Sequence, residues 1–178
     1  MSSIFHLISV GRRYSLLLSV VALGFFYTAC GDSNPNETAV ENSTAAVKTI
    51  TFGPGNKFEG IVGGANANIT VTADGLKIQA LNDDPSIRLP PVDVPAGTKL
   101  TLHVKIFSPA TTNLQVFYTT AKNPNFDETH SIRKPIQKGD NDVTAEITAP
   151  DFSGSIRLDP GELPGDYLLT LIEVRRLR

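Results

Sequence analysis

Lys99-Leu-Thr-Leu-His-Val-Lys-Ile-Phe107 decides the fold class. Leu100, Leu102, Val104 and Ile106 fall on one side of an extended chain, and Thr101, His103 and Lys105 fall on the other. Successive side chains in a strand point to opposite faces, so this period of two predicts a long, half-buried β-strand. Upstream, Ile69–Ala73 and Leu76–Ala80 flank Asp74-Gly75, a pair suited to a tight hairpin turn. Further strands are expected at Lys48–Phe52, Ile87–Leu89, Leu114–Thr120, Val143–Thr148, Ser155–Leu158 and Tyr167–Val174. Pro and Gly interrupt every helical candidate before three turns accumulate. Eight or nine short strands at this spacing predict an all-β, antiparallel two-sheet β-sandwich, with a jelly roll as the expected topology.

The N-terminus has a different character. Arg12-Arg13 precede an apolar run from Ser15 to Tyr27, which is followed by Thr28-Ala29-Cys30-Gly31. That run is shorter than the roughly 20 apolar residues needed to span a bilayer, and its flanks are those of a cleaved export signal. Gly11, Tyr14 and Ser15 do not match the rest of a twin-arginine pattern, so general secretion is expected. Cys30 is the only cysteine of the chain, and the small residues before it give a peptidase access to the backbone. These residues resemble the bacterial lipoprotein lipobox, with Tyr27 where that motif usually carries an aliphatic residue. The resemblance implies cleavage after Ala29 and a diacylglyceryl group on the Cys30 thiol. It also implies a bacterial envelope location, with the outer membrane or periplasmic face favoured because Gly31 rather than an aspartate follows the cysteine.

Three segments are therefore expected. Residues 1–29 form the signal, residues 30–47 form the lipidated cysteine and a flexible linker, and residues 48–178 form the β-sandwich domain. The linker is polar and small, without aromatic residues, and as a soft chain it would hold the domain roughly 20 to 25 Å from the lipid surface. Removing residues 1–29 leaves 14 basic and 18 acidic residues. This mild negative charge, without a Lys/Arg cluster, argues against a nucleic-acid partner, because phosphate binding needs clustered cations. With Cys30 lipidated no thiol remains, which excludes a disulfide framework and a thiolate zinc site. The domain must stand on its hydrophobic core.

Ser-Ile-Arg occurs three times, at Ser86–Arg88, Ser131–Arg133 and Ser155–Arg157. If each isoleucine points into the core, the arginines share the opposite face, where guanidinium groups could bind carboxylates or sugar hydroxyls in bidentate geometry. The competing expectation is pairing with surface acids such as Asp83, Asp84 and Asp159. In Leu114-Gln-Val-Phe-Tyr118, alternation places Leu114, Val116 and Tyr118 on one face and Gln115 and Phe117 on the other. Either Phe117 or Tyr118 is then a candidate for exposure, against the alternative that both pack in the core. The candidate ligand-binding residues are Arg88, Gln115, Phe117, Tyr118 and Arg157.

Asp84-Pro-Ser-Ile-Arg-Leu-Pro90, Leu114-Gln-Val-Phe-Tyr-Thr-Thr120, Phe126-Asp-Glu-Thr-His-Ser131, Ile156-Arg-Leu-Asp-Pro-Gly161 and Pro164-Gly-Asp-Tyr167 resemble β-sandwich, carbohydrate-binding-like modules. Such modules accompany bacterial cell-surface glycosyltransferases. The resemblance spans about Leu76 to Val174 and implies a non-catalytic glycan-binding role.

Catalytic signatures are missing from the sequence. Gly-x-Ser-x-Gly, His-Glu-x-x-His and phosphate-loop motifs do not occur, and the mature chain has only His103 and His130. No enzyme activity and no cofactor are expected. Asp84, Asp159, Asn82 and Asn141 sit in turn-forming pairs, and carboxylates and carbonyls of turns can also hold a structural calcium. The expected partners are the membrane, through the Cys30 lipid, and an envelope or extracellular glycan. The alternative is a structural or assembly lipoprotein that binds another envelope protein.

Overall fold

The computed structural model describes residues 46–51 and 60–177. The expected signal, Cys30, most of the expected linker and the expected strand end at Phe52 lie outside the described residues. Within them are eleven strands: β1 Ala46–Thr51, β2 Val62–Gly63, β3 Ala67–Val71, β4 Leu76–Ala80, β5 Ile87–Arg88, β6 Leu100–Ser108, β7 Thr112–Thr120, β8 Ser131–Ile136, β9 Gly139–Ile147, β10 Phe152–Asp159 and β11 Gly165–Arg176. The one helical element among them is a 3-10 turn at Glu128–His130. Ala46 and Val47, expected in the linker, are already strand: Ala46 pairs with Arg175 near the end of β11, and Val47 is the extra residue of a register shift before Lys48.

Every pairing between strands is antiparallel. One sheet runs β3-β4-β11-β6-β9, with β1 also paired to β11, and the other runs β2-β5-β10-β7-β8. From β4 to β7 and again from β8 to β11, consecutive strands alternate between the two sheets. The fold is an antiparallel β-sandwich of the jelly-roll type.

Alternation sets the core. Leu100, Leu102, Val104 and Ile106 of β6 are buried, while Thr101, His103, Lys105 and Phe107 face outward. They meet Leu114 and Val116 of β7, Ile156 and Leu158 of β10, and Ile87 of β5 in one apolar cluster. In β11 the inward phase changes from Tyr167 and Leu169 to Ile172 and Val174, because a bulge between Leu169 and Leu171 inserts one residue.

The hairpin over Asp74-Gly75 forms, but its strands stop at Val71 and Leu76 and the turn takes four residues. Thr72 N donates to Gly75 O at 2.8 Å, and Gly75 adopts φ +154°. A side chain at Gly75 would also strike the Leu169 carbonyl of β11, at 2.4 Å, so close strand approach adds to the glycine requirement.

Two strands escape the sequence pattern. β2 has only two residues, and β8 contains Pro135, which cannot donate to a ladder. Both are sheet edges, where a missing donor faces outward and a short strand limits unwanted pairing.

Candidate ligand-binding face

The outer side of the five-stranded sheet gathers the three Ser-Ile-Arg arginines. Register places Arg88 of β5 opposite Arg157 of β10, and Arg157 opposite Phe117 of β7. One row along, Asp159 of β10 lies opposite Gln115 of β7, and Gln115 lies opposite Arg133 of β8. Since Ile87, Ile156 and Leu158 point into the core, alternation sends these polar partners outward.

Two of the arginines are already engaged by acids. Arg157 Nε and Nη2 donate to the two oxygens of Asp159 at 2.8 and 2.7 Å, and Nη2 also donates to Asp84 at 2.7 Å. Arg133 forks onto Glu128 at 2.9 and 3.2 Å, and its Nε donates to Glu162 at 3.3 Å. Arg88 is exposed and makes no ion pair among the described residues; its guanidinium lies 5.9 Å from the centre of the Phe126 ring.

Phe117 is not the exposed platform that alternation allowed. It is 5 % exposed, because the Arg157 guanidinium covers its outer side at 4.8 Å from the ring centre. Tyr118 turns inward, half-buried against the core, with His130 edge-on at 5.7 Å. Gln115 is buried too, and its amide donates to Glu128 at 3.0 Å and Ser131 at 2.9 Å while it floors a polar cavity. An aromatic that does stand out is Phe107, 40 % exposed, on the other sheet.

Two cavities formed by the described residues lie on this face. One, of about 320 Å³, is lined by Gln115 and Phe117 together with Asp83, Asp84, Glu128, Asp159 and Glu162, and by Arg133. The second, of about 360 Å³, surrounds Arg88 and is mostly apolar, with Val62, Pro91, Pro124 and Phe126 in its walls. The segment between β7 and β8 supplies Phe126 to the apolar cavity and Glu128 to the polar one.

That segment is held by Asp127. Its carboxylate caps the 3-10 turn, accepting from the backbone of Thr129 at 2.9 Å and His130 at 3.2 Å, from the Thr129 hydroxyl, and from Asn123. The Thr129 bond foremost, with Asn123 and His130 behind it, draws the carboxyl down to about 2. Glu128 is also held below the usual carboxylate range, chiefly by Arg133. Asp159 moves the other way: burial pushes its carboxyl up to about 6, against the pull of the Arg157 fork, with Asp84 and Glu128 adding to the rise.

Residues proposed for calcium have other duties. Asp84 and Asp159 hold Arg157. The Asn82 side chain accepts from the backbone of Asp84, and Asn141 ties the β8–β9 turn to Gln137 and Gly139. Among the described residues no group of three or more His, Cys, Asp or Glu is arranged to hold a metal ion.

No family model matches the sequence, and no curated protein matches it. Solved structures do match the fold. The xylanase 10B of Clostridium thermocellum, a CBM22-1–GH10 module pair complexed with xylohexaose, superposes with TM-score 0.60 at 14 % identity over 75 % of this chain and 28 % of that one. The CBM22-1 xylan-binding domain of Paenibacillus barcinonensis Xyn10C superposes with TM-score 0.59 at 14 % identity, covering 75 % of this chain and 96 % of that one. The sandwich is the fold of carbohydrate-binding modules. A family 29 carbohydrate-binding module from Piromyces equi adds TM-score 0.51 at 14 % identity, over 71 % of this chain and 89 % of that one.

Phe126, Glu128, Arg133 and Glu162 line the cavities without being among the candidate ligand-binding residues read from the sequence. Glu128 follows an Asx-type capping residue, and Glu162 follows Pro-Gly, so each reads locally as part of a turn. The second Ser-Ile-Arg repeat is the available signal for Arg133.

Proposed function

We propose that this chain is a lipid-anchored, non-catalytic glycan-binding protein of the bacterial envelope. It presents the outer face of the five-stranded sheet to a saccharide. The observation that carries this reading is the pair of adjoining cavities on that face, one lined with hydrogen-bonding groups and one with apolar walls around a guanidinium, on a fold shared with carbohydrate-binding modules. Ligand sites of this kind combine apolar surface with a few fixed polar groups. The polar groups here are fixed in advance by the Asp159–Arg157–Asp84 and Glu128–Arg133–Glu162 chains, so little side-chain freedom is lost on binding.

Catalysis is left out on chemical grounds. A glycosidase needs one carboxyl free to donate a proton and a second free to attack or activate water. Both oxygens of Asp159 face Arg157, and Asp84, Glu128 and Glu162 are also tied to guanidinium groups.

The test is affinity electrophoresis and calorimetry with the full-length lipidated protein in detergent micelles, against xylans, β-glucans, chitin oligomers and envelope polysaccharides. At least one glycan is expected to bind without releasing reducing ends. Asp83→Ala and Arg88→Ala, which change exposed residues of the two cavities, should each weaken it by about tenfold, the value of a charge-assisted hydrogen bond. Failure of the whole panel, with the β-sheet spectrum intact, would transfer the reading to a protein partner. Cys30→Ser is expected to move the protein from the membrane fraction to the soluble fraction; an unchanged membrane fraction would remove the anchor.

A further inference from the structure

We infer that the ligand is an uncharged glycan bearing acetyl groups, with one acetyl group seated in the Phe126 cavity and its carbonyl oxygen taking a hydrogen bond from Arg88. The inference rests on the glycan reading and narrows it to a chemical class.

The two cavities differ in what they ask of a ligand. A ring that offers only hydroxyl groups suits the polar cavity, but in its neighbour it would leave Val62, Pro91, Pro124 and Phe126 against water or against unpaired hydroxyls. A methyl group fits such walls. The polar lining there is sparse: besides Arg88 it consists of Thr119 and Ser155, and the Thr119 hydroxyl is bonded to Ser153 at 2.7 Å. Arg88 can only donate, so the group it meets must accept. An acetyl group unites a methyl with a carbonyl acceptor, whether as an ester on a sugar hydroxyl or as an amide on a hexosamine.

Charge removes the nearest competitor. A uronate would also find Arg88, but Arg88 stands directly across from Arg157, one strand spacing of about 4.8 Å away. Arg157 is held by Asp84 and Asp159, and five carboxylates line the adjoining cavity. A ligand carboxylate would face that charge with no unengaged guanidinium beyond Arg88 among the lining residues. An ammonium would suit the acidic cavity, yet beside Arg88 it would meet a like charge and apolar walls.

The experiment measures affinity of the full-length protein for two matched pairs of uncharged ligands. O-acetylated xylan is compared with the same xylan after alkaline deacetylation, and fully N-acetylated chitotetraose is compared with cellotetraose. In at least one pair the acetylated member is expected to bind about tenfold more tightly. Preference in the xylan pair alone assigns an ester, and preference in the oligosaccharide pair alone assigns an acetamide. Arg88→Ala and Phe126→Ala should each bring that ratio close to one while the weaker, acetyl-independent binding persists. Equal affinities within both pairs would overturn the acetyl assignment and leave the glycan reading standing. A preference untouched by both variants would overturn its placement in this cavity, and no binding to any of the four ligands would overturn the acetyl assignment, the glycan reading itself failing only with the whole panel.

Discussion

Arg157→Ala is expected to destabilise the domain by about 3 kcal/mol at neutral pH, because it strands a buried carboxylate. Asp159 is 6 % exposed and receives both of its Arg157 bonds at 2.7 to 2.8 Å. Alanine also uncovers the Phe117 ring, which the guanidinium shields at 4.8 Å. The deficit should depend on pH in a defined direction. With Arg157 present, burial already raises the Asp159 carboxyl from 3.8 to about 6, so between those values the folded state binds a proton that the unfolded state does not. This group therefore favours folding more as pH falls from about 6 to about 4. Without Arg157 the carboxyl rises further, so the variant's deficit is largest above neutral pH and shrinks as acid neutralises Asp159. Urea unfolding at pH 4, 6 and 8 measures this, and a deficit constant across the three would contradict the buried-pair account. Replacing the pair together, Arg157→Met with Asp159→Leu, should recover most of the loss, since no buried charge is then left unpaired and Asp84, which loses its partner, is exposed to water.

Tyr167→Ala is expected to cost about 4 kcal/mol, in the range for deleting a large aromatic from a packed core. Its side chain is fully buried, and its hydroxyl donates to the Leu163 carbonyl at 2.9 Å. Burial is also the main cause of its raised phenol pKa, with the nearby Glu162 carboxylate acting in the same direction. The ring occupies space that only glycine leaves free at 161: a Cβ there would lie 2.2 Å from the Tyr167 oxygen. Thus the turn that carries Glu162 into the polar cavity is seated on Tyr167. Tyr167→Phe should cost only about 1 kcal/mol, because it removes one hydrogen bond and keeps the packing. Glu162 retains its backbone bond to Thr112 and its side-chain bond to Asn113 at 3.0 Å each, so the phenylalanine variant should preserve the cavity. Chemical denaturation separates the two variants; similar losses would mean that the hydroxyl rather than the ring holds the turn.

The long strands were legible because half of each faces the core. β6 shows period two along its length and β9 from Val143 onward, where one sheet face of each is buried, whereas the first half of β9, residues 139–142, has no apolar residue to mark it. The bulge in β11 was not legible, since a single inserted residue leaves Leu and Ile on both sides of the strand. β8 was hidden by Pro135, tolerated only because the strand is an edge. In the candidate site, alternation correctly separated Gln115 and Phe117 from Leu114 and Val116, yet it said nothing about what covers the outer side. That cover comes from Arg157 on a neighbouring strand and from residues such as Glu128 and Glu162 in connecting turns. Such contacts depend on topology, and no local period encodes them.

The pairing of β1 with the far end of β11 has a mechanical side. Ala46 sits beside Arg175, whereas Glu162 and its cavity lie just before Gly165, at the opposite end of a strand about 35 Å long. A pull on residues upstream of Ala46, resisted by a saccharide held near Glu162, would run largely along the strands. The five β1–β11 register pairs would then be loaded together in shear rather than opened one after another. On the proposed anchoring, the domain would therefore resist being unravelled from β1 while its ligand is held.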